Sequence, residues 1–308
     1  MYRGIFAFQP LTLQKIRTVQ KLNFSSIFTS CKNLNPALIA RVRKIGLKIY
    51  AEINIFSGEE WWEEYPDCRP IDKNGQPMKK INWYVAVCPN HPQVQQRLLD
   101  RIKLTINKLD IDGIWLDFMR YPCHWEQVRS PMIDEYCFCS NCLSKFSGEV
   151  GGKPEGERWT TWKCQNITNF VQQVRMTIDN SRKKILLGIF AVPWRKNDYK
   201  DAITRIIGQD FTSLSKFVDI FSPMTYHKYT QNNTSWIHDV IDSIRKVAKK
   251  PILPIVQTEN KAGKIDTNEF KDELIQAMKA PSSGVVIFFL EDLVKDQNKL
   301  SMLSASIQ

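Results

Sequence analysis

Eight apolar, strand-like runs alternate with amphipathic helical segments along the chain, and this alternation constrains the fold more than any other feature. Parallel strands need a crossover connection, usually a helix, so the pattern predicts a parallel sheet. Eight strand–helix units match a (β/α)8 barrel, and the 308 residues suffice for its usual length of about 250. The strand-like runs are residues 2–9, 25–29, 47–56, 113–120, 185–193, 218–226, 252–258 and 284–290.

The helical segments have lengths and connections that suit one barrel. They span residues 11–22, 36–45, 92–109, 159–180, 201–216, 235–249 and 267–279, and a last one starts near Leu293. Long loops follow strands three and four, at 57–90 and 122–158, and the second includes a cysteine-rich insertion at about 123–158. The sequence therefore predicts an α/β fold, a single (β/α)8 TIM barrel over residues 1–308 whose active site lies among these loops.

Composition and charge narrow the class of protein. Hydrophobic residues make up 43% and charged residues 24%, as in soluble globular proteins. No apolar run approaches the roughly 20 residues of a membrane span. The first residues lack a signal-peptide profile, which predicts a cytoplasmic protein, or a secreted one if the chain is a mature or trimmed form. The oligomeric state is not predicted by the sequence.

The net charge of +11 is spread over many predicted helices. Solvated helix faces account for most of it, although a preference for an anionic polymer stays open. No RNA-binding or helix-turn-helix pattern accompanies the charge, so no nucleic-acid partner is expected.

Strand four, within residues 112–122, ends in an acid, a base and a proline turn. Alternation along a strand places Gly113, Trp115 and Asp117 on one face. A carboxylate at the end of a buried strand is costly without partners, which indicates a functional role for Asp117. The structural alternative is an ion pair between Asp117 and Arg120.

Other polar side chains end neighbouring strands at the same predicted rim. Alternation directs Tyr50, Glu52 and Asn54 of strand three into the barrel. The remaining candidates at strands six to eight are Tyr226, His227, Gln257, Glu259 and Glu291. His227 is predicted either to bind substrate or to be an ordinary loop residue.

Paired carboxyl groups across a cleft are the requirement for cleaving a glycosidic bond, because one donates a proton while the other attacks or activates water. Asp117 is the first candidate, and Glu259 is the preferred partner over Glu52 and Glu291. Each partner has a structural alternative: Glu259 as a loop cap, Glu52 as a satisfied core acid, and Glu291 as the start of the last helix.

Six of the nine tryptophans fall at or just after predicted strand ends, and indole rings stack on the apolar faces of sugars. They are Trp61, Trp62, Trp83, Trp125, Trp194 and Trp236, with packing as the alternative for each. Trp61 and Trp194 are included among the predicted sugar-binding residues.

Three cysteines in the long loop after strand four form a C-x-C-x2-C pattern, made by Cys137, Cys139 and Cys142. Thiolates at this spacing suit a structural zinc ion whose fourth ligand comes from elsewhere. A disulfide within the cluster and free thiols are the alternatives. Cys31, Cys68 and Cys88 are predicted to be isolated buried thiols.

The chain resembles glycosyl-hydrolase-like barrel families in four places. They are the C-P-N-H-P run at 88–92, the strand-four segment, the cysteine pattern with Phe146, and the run at 222–226. Those families carry a D-G-hydrophobic-x-L-D-(Y/F)-x-R-Y-P strand, and the resemblance covers roughly residues 2–290. It implies a (β/α)8 fold, a carbohydrate substrate, and functional roles for Asp117, Arg120 and Tyr121.

Together these features predict an O-glycoside hydrolase that needs no cofactor for catalysis. Asp117 and Glu259 would be its catalytic carboxyls, Arg120 would orient Asp117, and Tyr121 and Tyr226 would bind sugar. The main alternative is a non-catalytic carbohydrate-binding barrel, and a third is a barrel enzyme of another class, such as a deacetylase or lyase.

Overall fold

A computed structural model of the protein describes residues 2–127, 131 and 133–305. The strands are β1 Tyr2–Ala7, β2 Ser26–Ser30, β3 Lys48–Asn54, β4 Gly113–Asp117, β5 Leu186–Ala191, β6 Ile220–Pro223, β7 Ile255–Gln257 and β8 Gly284–Phe288. Part of the predicted cysteine-rich insertion, residues 128–130 and 132, lies outside the described residues.

The eight strands form one parallel sheet in the order β6-β5-β4-β3-β2-β1-β8-β7. Parallel bridges from Phe221 to Ile252 and from Met224 to Ile255 bring β6 against β7, so the sheet closes on itself. The fold is therefore an α/β (β/α)8 TIM barrel, as the sequence predicts.

Helices surround the barrel. They are α1 Leu13–Lys21, α2 Pro36–Lys44, α3 Glu59–Glu64, α4 Pro92–Lys108, α5 Ser140–Glu149, α6 Gly156–Asn180, α7 Ala202–Arg205, α8 Phe211–Leu214, α9 Ser235–Ala248, α10 Thr267–Met278, α11 Leu290–Leu293 and α12 Gln297–Ala305. Across residues 2–127, 131 and 133–305, no helix has both the length and the apolar character needed to cross a membrane.

The single helix predicted over 201–216 is wrong, because two short helices, α7 and α8, occupy that stretch. Gly208 lies between them with φ +76°, a conformation that side-chain-bearing residues avoid. Gln209 then uses its side chain to donate to the Met119 carbonyl at 3.0 Å and to accept from the Val192 N–H at 3.2 Å. The interrupted helix thus ties the carboxyl ends of β4 and β5 together.

Aromatic rings fill the barrel interior below its carboxyl end. The Trp115 ring lies 4.9 Å from Phe28 and 4.6 Å from Tyr50, and its Nε1 donates to Ser222 Oγ at 2.9 Å. A Cβ on Gly188 would lie 2.2 Å from Trp115, so this glycine makes room for the indole. These contacts confirm that Tyr50 and Trp115 point inward, and the polar residues beyond them on the same strand faces point to the mouth.

Candidate active site

A cavity of about 780 Å³ opens at the carboxyl end of the barrel, where residues at or next to the ends of all eight strands line it. Five of the predicted site residues meet in its wall: Glu52, Asn54, Asp117, Tyr226 and Glu259. Active sites of this fold lie at this end of the barrel. The cavity is therefore the candidate active site.

Asp117 is the last residue of β4 and pairs in register with Asn54 of β3. Its Oδ1 accepts a hydrogen bond from the Phe118 N–H at 2.7 Å. Burial raises the pKa of Asp117, while the Arg120 guanidinium and the Phe118 N–H oppose that rise. Within the described part of the chain, Asp117 forms no ion pair, so the structural alternative of an Asp117–Arg120 pair is not seen.

Arg120 is buried and does not line the cavity. Its guanidinium carbon lies 4.6 Å from the centre of the Phe118 ring, and its three nitrogens have no hydrogen-bond partner among the described residues. The charge of Arg120 lowers the pKa of Asp117, so it acts on Asp117 through its field. Tyr121, the next residue, also lies outside the wall, and its hydroxyl accepts from Asn90 Nδ2 at 2.9 Å.

Two further predicted acids, Glu52 and Glu259, line the same cavity as Asp117. Burial, reinforced by the charge of Asp117, raises the pKa of Glu52 to about 8, and Ser30 and Lys32 offset part of this effect. Glu259 is 5% exposed, and its Oε2 lies 3.2 Å from Lys261 Nζ. Its Oε1 lies 3.5 Å from the Tyr229 hydroxyl, which holds the carboxylate toward the cavity.

Glu126 is a fourth acid in the same wall, and the sequence did not single it out. Burial raises its pKa to about 7, Arg120 opposes the shift, and Asp117 and Glu259 add to it. Its Oε2 has no hydrogen-bond partner among the described residues. Periodicity does not identify loop residues, and the one available signal was an acid beside a tryptophan in a long loop.

The neighbouring Trp125 explains how Glu126 reaches the cavity. Its indole is 1% exposed and stacks on Tyr226, with ring centres 5.8 Å apart and planes 26° apart. The loop after β4 is thereby drawn across the mouth toward β6. Trp125 consequently serves packing, and its neighbour supplies the cavity-facing carboxyl.

The predicted tryptophan rim is largely buried. Trp61, Trp194 and Trp236 are at most 4% exposed, and none of them lines the cavity. Trp62 donates its Nε1 to the Ala86 carbonyl at 2.8 Å. Trp83 is the one residue of the predicted six that lies in the cavity wall, and it is 57% exposed.

Three other predicted substrate-binding residues also lie outside the wall. His227 is buried between the carboxylates of Glu269 and Glu273, at 2.9 and 2.8 Å. Gln257 points its amide at Glu259 Oε1 from 3.5 Å. Glu291 accepts from the backbone N–H groups of residues 8 and 9 and pairs with a lysine, which is a structural arrangement.

The three predicted metal-ligand cysteines gather with a fourth, Cys88. The ligand sulfurs of Cys88, Cys137, Cys139 and Cys142 lie within 4.8 Å of one another, and all four residues are buried. The prediction that Cys88 is an isolated thiol is therefore wrong: the loop after β3 folds back onto the loop after β4. Spacing along the chain could not reveal a partner some fifty residues away, and Cys31 and Cys68 lie outside this four-sulfur cluster.

The geometry of the four-sulfur cluster fits a tetrahedral metal ion. Cys88 Sγ lies 3.5 Å from Cys139 Sγ and 3.4 Å from Cys142 Sγ. Thiolates at about 2.3 Å from a zinc ion are about 3.8 Å apart, so a small expansion admits one. None of the four cysteines of the cluster forms a disulfide, so the alternative of a disulfide within the cluster is not seen.

The four-sulfur cluster is connected to the strand-four segment through one side chain. Asn90 Nδ2 donates to Cys142 Sγ at 3.2 Å and to the Tyr121 hydroxyl at 2.9 Å. The Ile71 N–H lies 3.5 Å from Cys137 Sγ. The cluster thus joins the β3–α4 loop to the β4–α5 loop, away from the cavity wall.

Comparisons with known proteins support a glycosidase fold. The glycoside hydrolase domain of PgaB (BpsB) from Bordetella bronchiseptica superposes with a TM-score of 0.78 at 12% identity, covering 99% of this chain and 98% of that one. The glycoside hydrolase domain of PelA from Pseudomonas aeruginosa gives 0.58 at 9% identity, with 94% and 96% covered. Ega3 of Aspergillus fumigatus, in complex with galactosamine, gives 0.54 at 11% identity, with 94% and 91% covered.

At these identities the structures show a shared fold. A comparison with curated proteins found no match. The profile of the family described as Glycosyl hydrolase-like 10 matches residues 53–274, which include strands β4 to β7 and the cavity acids Asp117, Glu126 and Glu259. The chain belongs to the glycosyl hydrolase-like 10 family.

Proposed function

We propose that the protein is a glycoside hydrolase that cleaves O-glycosidic bonds of a polysaccharide or oligosaccharide. The observation that carries this proposal is the convergence of Glu52, Asp117, Glu126 and Glu259 in one cavity at the carboxyl end of the barrel. Glycosidic cleavage needs a proton donor and a second carboxylate that attacks or activates water. Membership of a glycosyl hydrolase-like family supports the same chemistry.

Asp117 and Glu259 are the proposed catalytic carboxyls. Burial raises the pKa of Asp117, and the Arg120 charge and the Phe118 N–H partly oppose this rise by favouring the ionised carboxylate that attacks or acts as a base. Lys261 and Tyr229 contact the Glu259 carboxylate and hold it in the wall of the same cavity. Glu126 and Glu52 are the competing partners, because pKa values of about 7 and 8 let each carry a proton near neutral pH.

Sugar contacts are proposed for the wall residues Asn54 and Tyr226, with Gln257 orienting Glu259 from behind. Tyr121, Trp61, Trp194, His227 and Glu291 would support the site from outside the wall rather than bind sugar. The wall carries five acids and three basic residues, so the prediction of an anionic substrate gains no support from the cavity's own charge. A panel that includes acidic, neutral and amino polysaccharides separates these substrate classes.

The test is hydrolysis of that panel by the purified protein and by matched amide variants. Asp117→Asn is expected to fold normally and to lose activity by about 10²-fold or more, since a catalytic carboxyl is removed without changing its shape. The second catalytic carboxyl is identified by the variant that loses the most hydrolytic activity among Glu259→Gln, Glu126→Gln and Glu52→Gln. Glu155→Gln, on an exposed residue next to α6, is the control.

Full activity of Asp117→Asn would refute this assignment. Binding of a glycan without release of products, by the unmodified chain, would instead favour the carbohydrate-binding barrel. Metal-dependent deacetylation or lyase products would favour the third class of enzyme.

A structural zinc ion is proposed at the four-sulfur cluster, held by Cys88, Cys137, Cys139 and Cys142. Four thiolates are a donor set that zinc favours, and the closed site would fix two loops while leaving the cavity chemistry unchanged. Elemental analysis should find about one zinc per chain. Cys88→Ser should lower both zinc content and melting temperature, whereas Cys164→Ser, on a buried thiol outside the cluster, should keep the metal.

A cytoplasmic location is also proposed: the cysteines of the described residues form no disulfide, and disulfides are rare in reducing compartments. Fractionation of cells that produce the tagged chain checks this. Recovery of the protein outside the cytoplasm would contradict it.

A further inference from the structure

Two large aromatic side chains stand out at the mouth of the cavity because they are exposed. Trp83 is 57% and Phe8 is 65% exposed, and both line the cavity. Burial of an aromatic side chain is strongly favourable, so a single exposed ring is unremarkable but two at one cleft indicate a ligand surface. The other large exposed hydrophobic residues of the described chain do not line this cavity.

Trp83 is presented by a short, well-fixed turn. Ile81 and Tyr84 exchange backbone hydrogen bonds of 3.1 and 2.8 Å, and Asn82 between them has φ +54°. Tyr84 is buried, and its hydroxyl accepts from the Cys123 N–H at 2.9 Å, which attaches the turn to the loop after β4. The turn therefore holds the indole in place without burying it.

The rings around Trp83 contact it at steep angles. Tyr84, Phe118 and His124 have interplanar angles of 79°, 72° and 78° to the indole. None of the described aromatic rings stacks face to face on Trp83. Its orientation is thus fixed while a flat face is left for a ligand.

Phe8 is held at the other side of the mouth by a different set of contacts. Its ring lies 6.3 Å from Phe6 and 6.1 Å from Phe289. Glu291 accepts from the N–H groups of Phe8 and Gln9, each at 3.1 Å, which fixes the backbone just beyond β1. Glu291 thereby positions this ring rather than binding sugar itself.

Two of the cavity acids lie on strands between these two rings. Phe8 follows β1 and Trp83 packs on Phe118 directly after β4, with β2 and β3 between them in the barrel. Glu52 of β3 and Asp117 of β4 end within that interval. A chain of sugars that contacts both rings would therefore pass over these two carboxyls.

We propose that Trp83 and Phe8 are sugar-stacking platforms on the two sides of the cleavage point, so that the protein binds an internal stretch of a glycan and cuts within the chain. This inference rests on the proposed hydrolase function. It also predicts glycan binding that can be measured without turnover. Apolar faces of pyranose rings and exposed aromatic rings are complementary surfaces.

The test measures binding of oligosaccharides to the Asp117→Asn protein, which should bind without cleaving. The ligands are two to about eight units long and come from chitosan, galactosamine, cellulose and polygalacturonate series. For the series that binds, Trp83→Ala and Phe8→Ala should each weaken binding of the longest member about fivefold or more, with a smaller effect on the shortest. The double variant should lose about the product of the two factors. Met176→Ala, on a 55% exposed residue of α6, should bind as the parent does.

The products made by the active enzyme provide the second measurement. Internal cleavage yields intermediate chain lengths from the earliest time points. Release of mono- or disaccharides alone from the start would overturn the inference, as would unchanged affinity in both variants or no glycan binding at all. Length-dependent binding that the variants lose, with no hydrolysis by the unmodified chain, would uphold the platforms while refuting the hydrolase.

Discussion

Replacing Glu52 by glutamine should stabilise the protein, and the gain should grow with pH. Burial, and then the charge of Asp117, raises the pKa of Glu52 from 4.5 to about 8. A carboxyl whose pKa is higher in the folded state holds its proton more tightly there than in the unfolded chain. The wild-type fold therefore loses stability relative to the variant as pH rises above about 4.5, and the loss is complete above about 8.

The magnitude follows from the size of the shift. Each pKa unit corresponds to about 1.4 kcal/mol, so ionised Glu52 costs the fold at most about 5 kcal/mol. Glutamine has the same shape, keeps an acceptor oxygen for Ser30, and carries no charge. Below pH 4.5 both side chains are neutral, and the two proteins should be equally stable.

The assay is urea unfolding of Glu52→Gln and wild type from pH 4 to pH 9, followed by circular dichroism. The difference in free energy of unfolding should be near zero at pH 4 and several kcal/mol in favour of the variant at pH 9, with equal m-values. Glu155→Gln, which removes an exposed carboxyl, should show no such trend. A difference that is independent of pH, or a variant that is less stable at pH 9, would refute the reasoning.

Two further predictions concern the scaffold around the site. Gly188→Ala should destabilise the barrel by about 3 kcal/mol, because the new Cβ would lie 2.2 Å from Trp115. Gly148→Ala in α5 should be tolerated, because nothing lies within 4 Å of its Cβ position. Denaturant unfolding curves of the two variants measure the difference. Glu291→Gln should cost about 2 kcal/mol at pH 7 by weakening charge-assisted bonds to residues 8, 9 and 15. Burial raises the pKa of Glu291, but those bonds outweigh it and leave the pKa below its ordinary 4.5. The stabilisation should therefore shrink as pH falls below 4.5, and a cost that is the same in acid as at pH 7 would contradict this.

The barrel and the inward direction of Asp117, Glu52 and Asn54 were predictable, because the alternation of strands and helices and the twofold period within a strand are local properties. Which residues line the cavity was harder to predict from the sequence. Glu126 reaches it only because Trp125 stacks on Tyr226 of another strand, a contact that no local pattern encodes.

The tryptophans and cysteines show the same limit. Position after a strand predicted a ring at the rim, but Trp61 and Trp194 turn inward to pack, since burial of an indole is favourable wherever the loop permits it. Trp83 stays outside because a tight turn holds it there. Cys88 joins the other three thiols through a long-range meeting of two loops, which spacing within one loop cannot reveal.

The side-chain amide of Asn90 donates to a sulfur of one loop and to the hydroxyl of Tyr121 beside strand four. The loops after β3 and β4 consequently depend on each other for their structure and have to be treated as one unit in protein engineering. A barrel engineered to accept a new glycan by loop grafting would have to receive both segments from one donor. Either loop transplanted alone would lack the cysteine partners of the four-sulfur cluster and would break the hydrogen bonds that Asn90 makes between the loops.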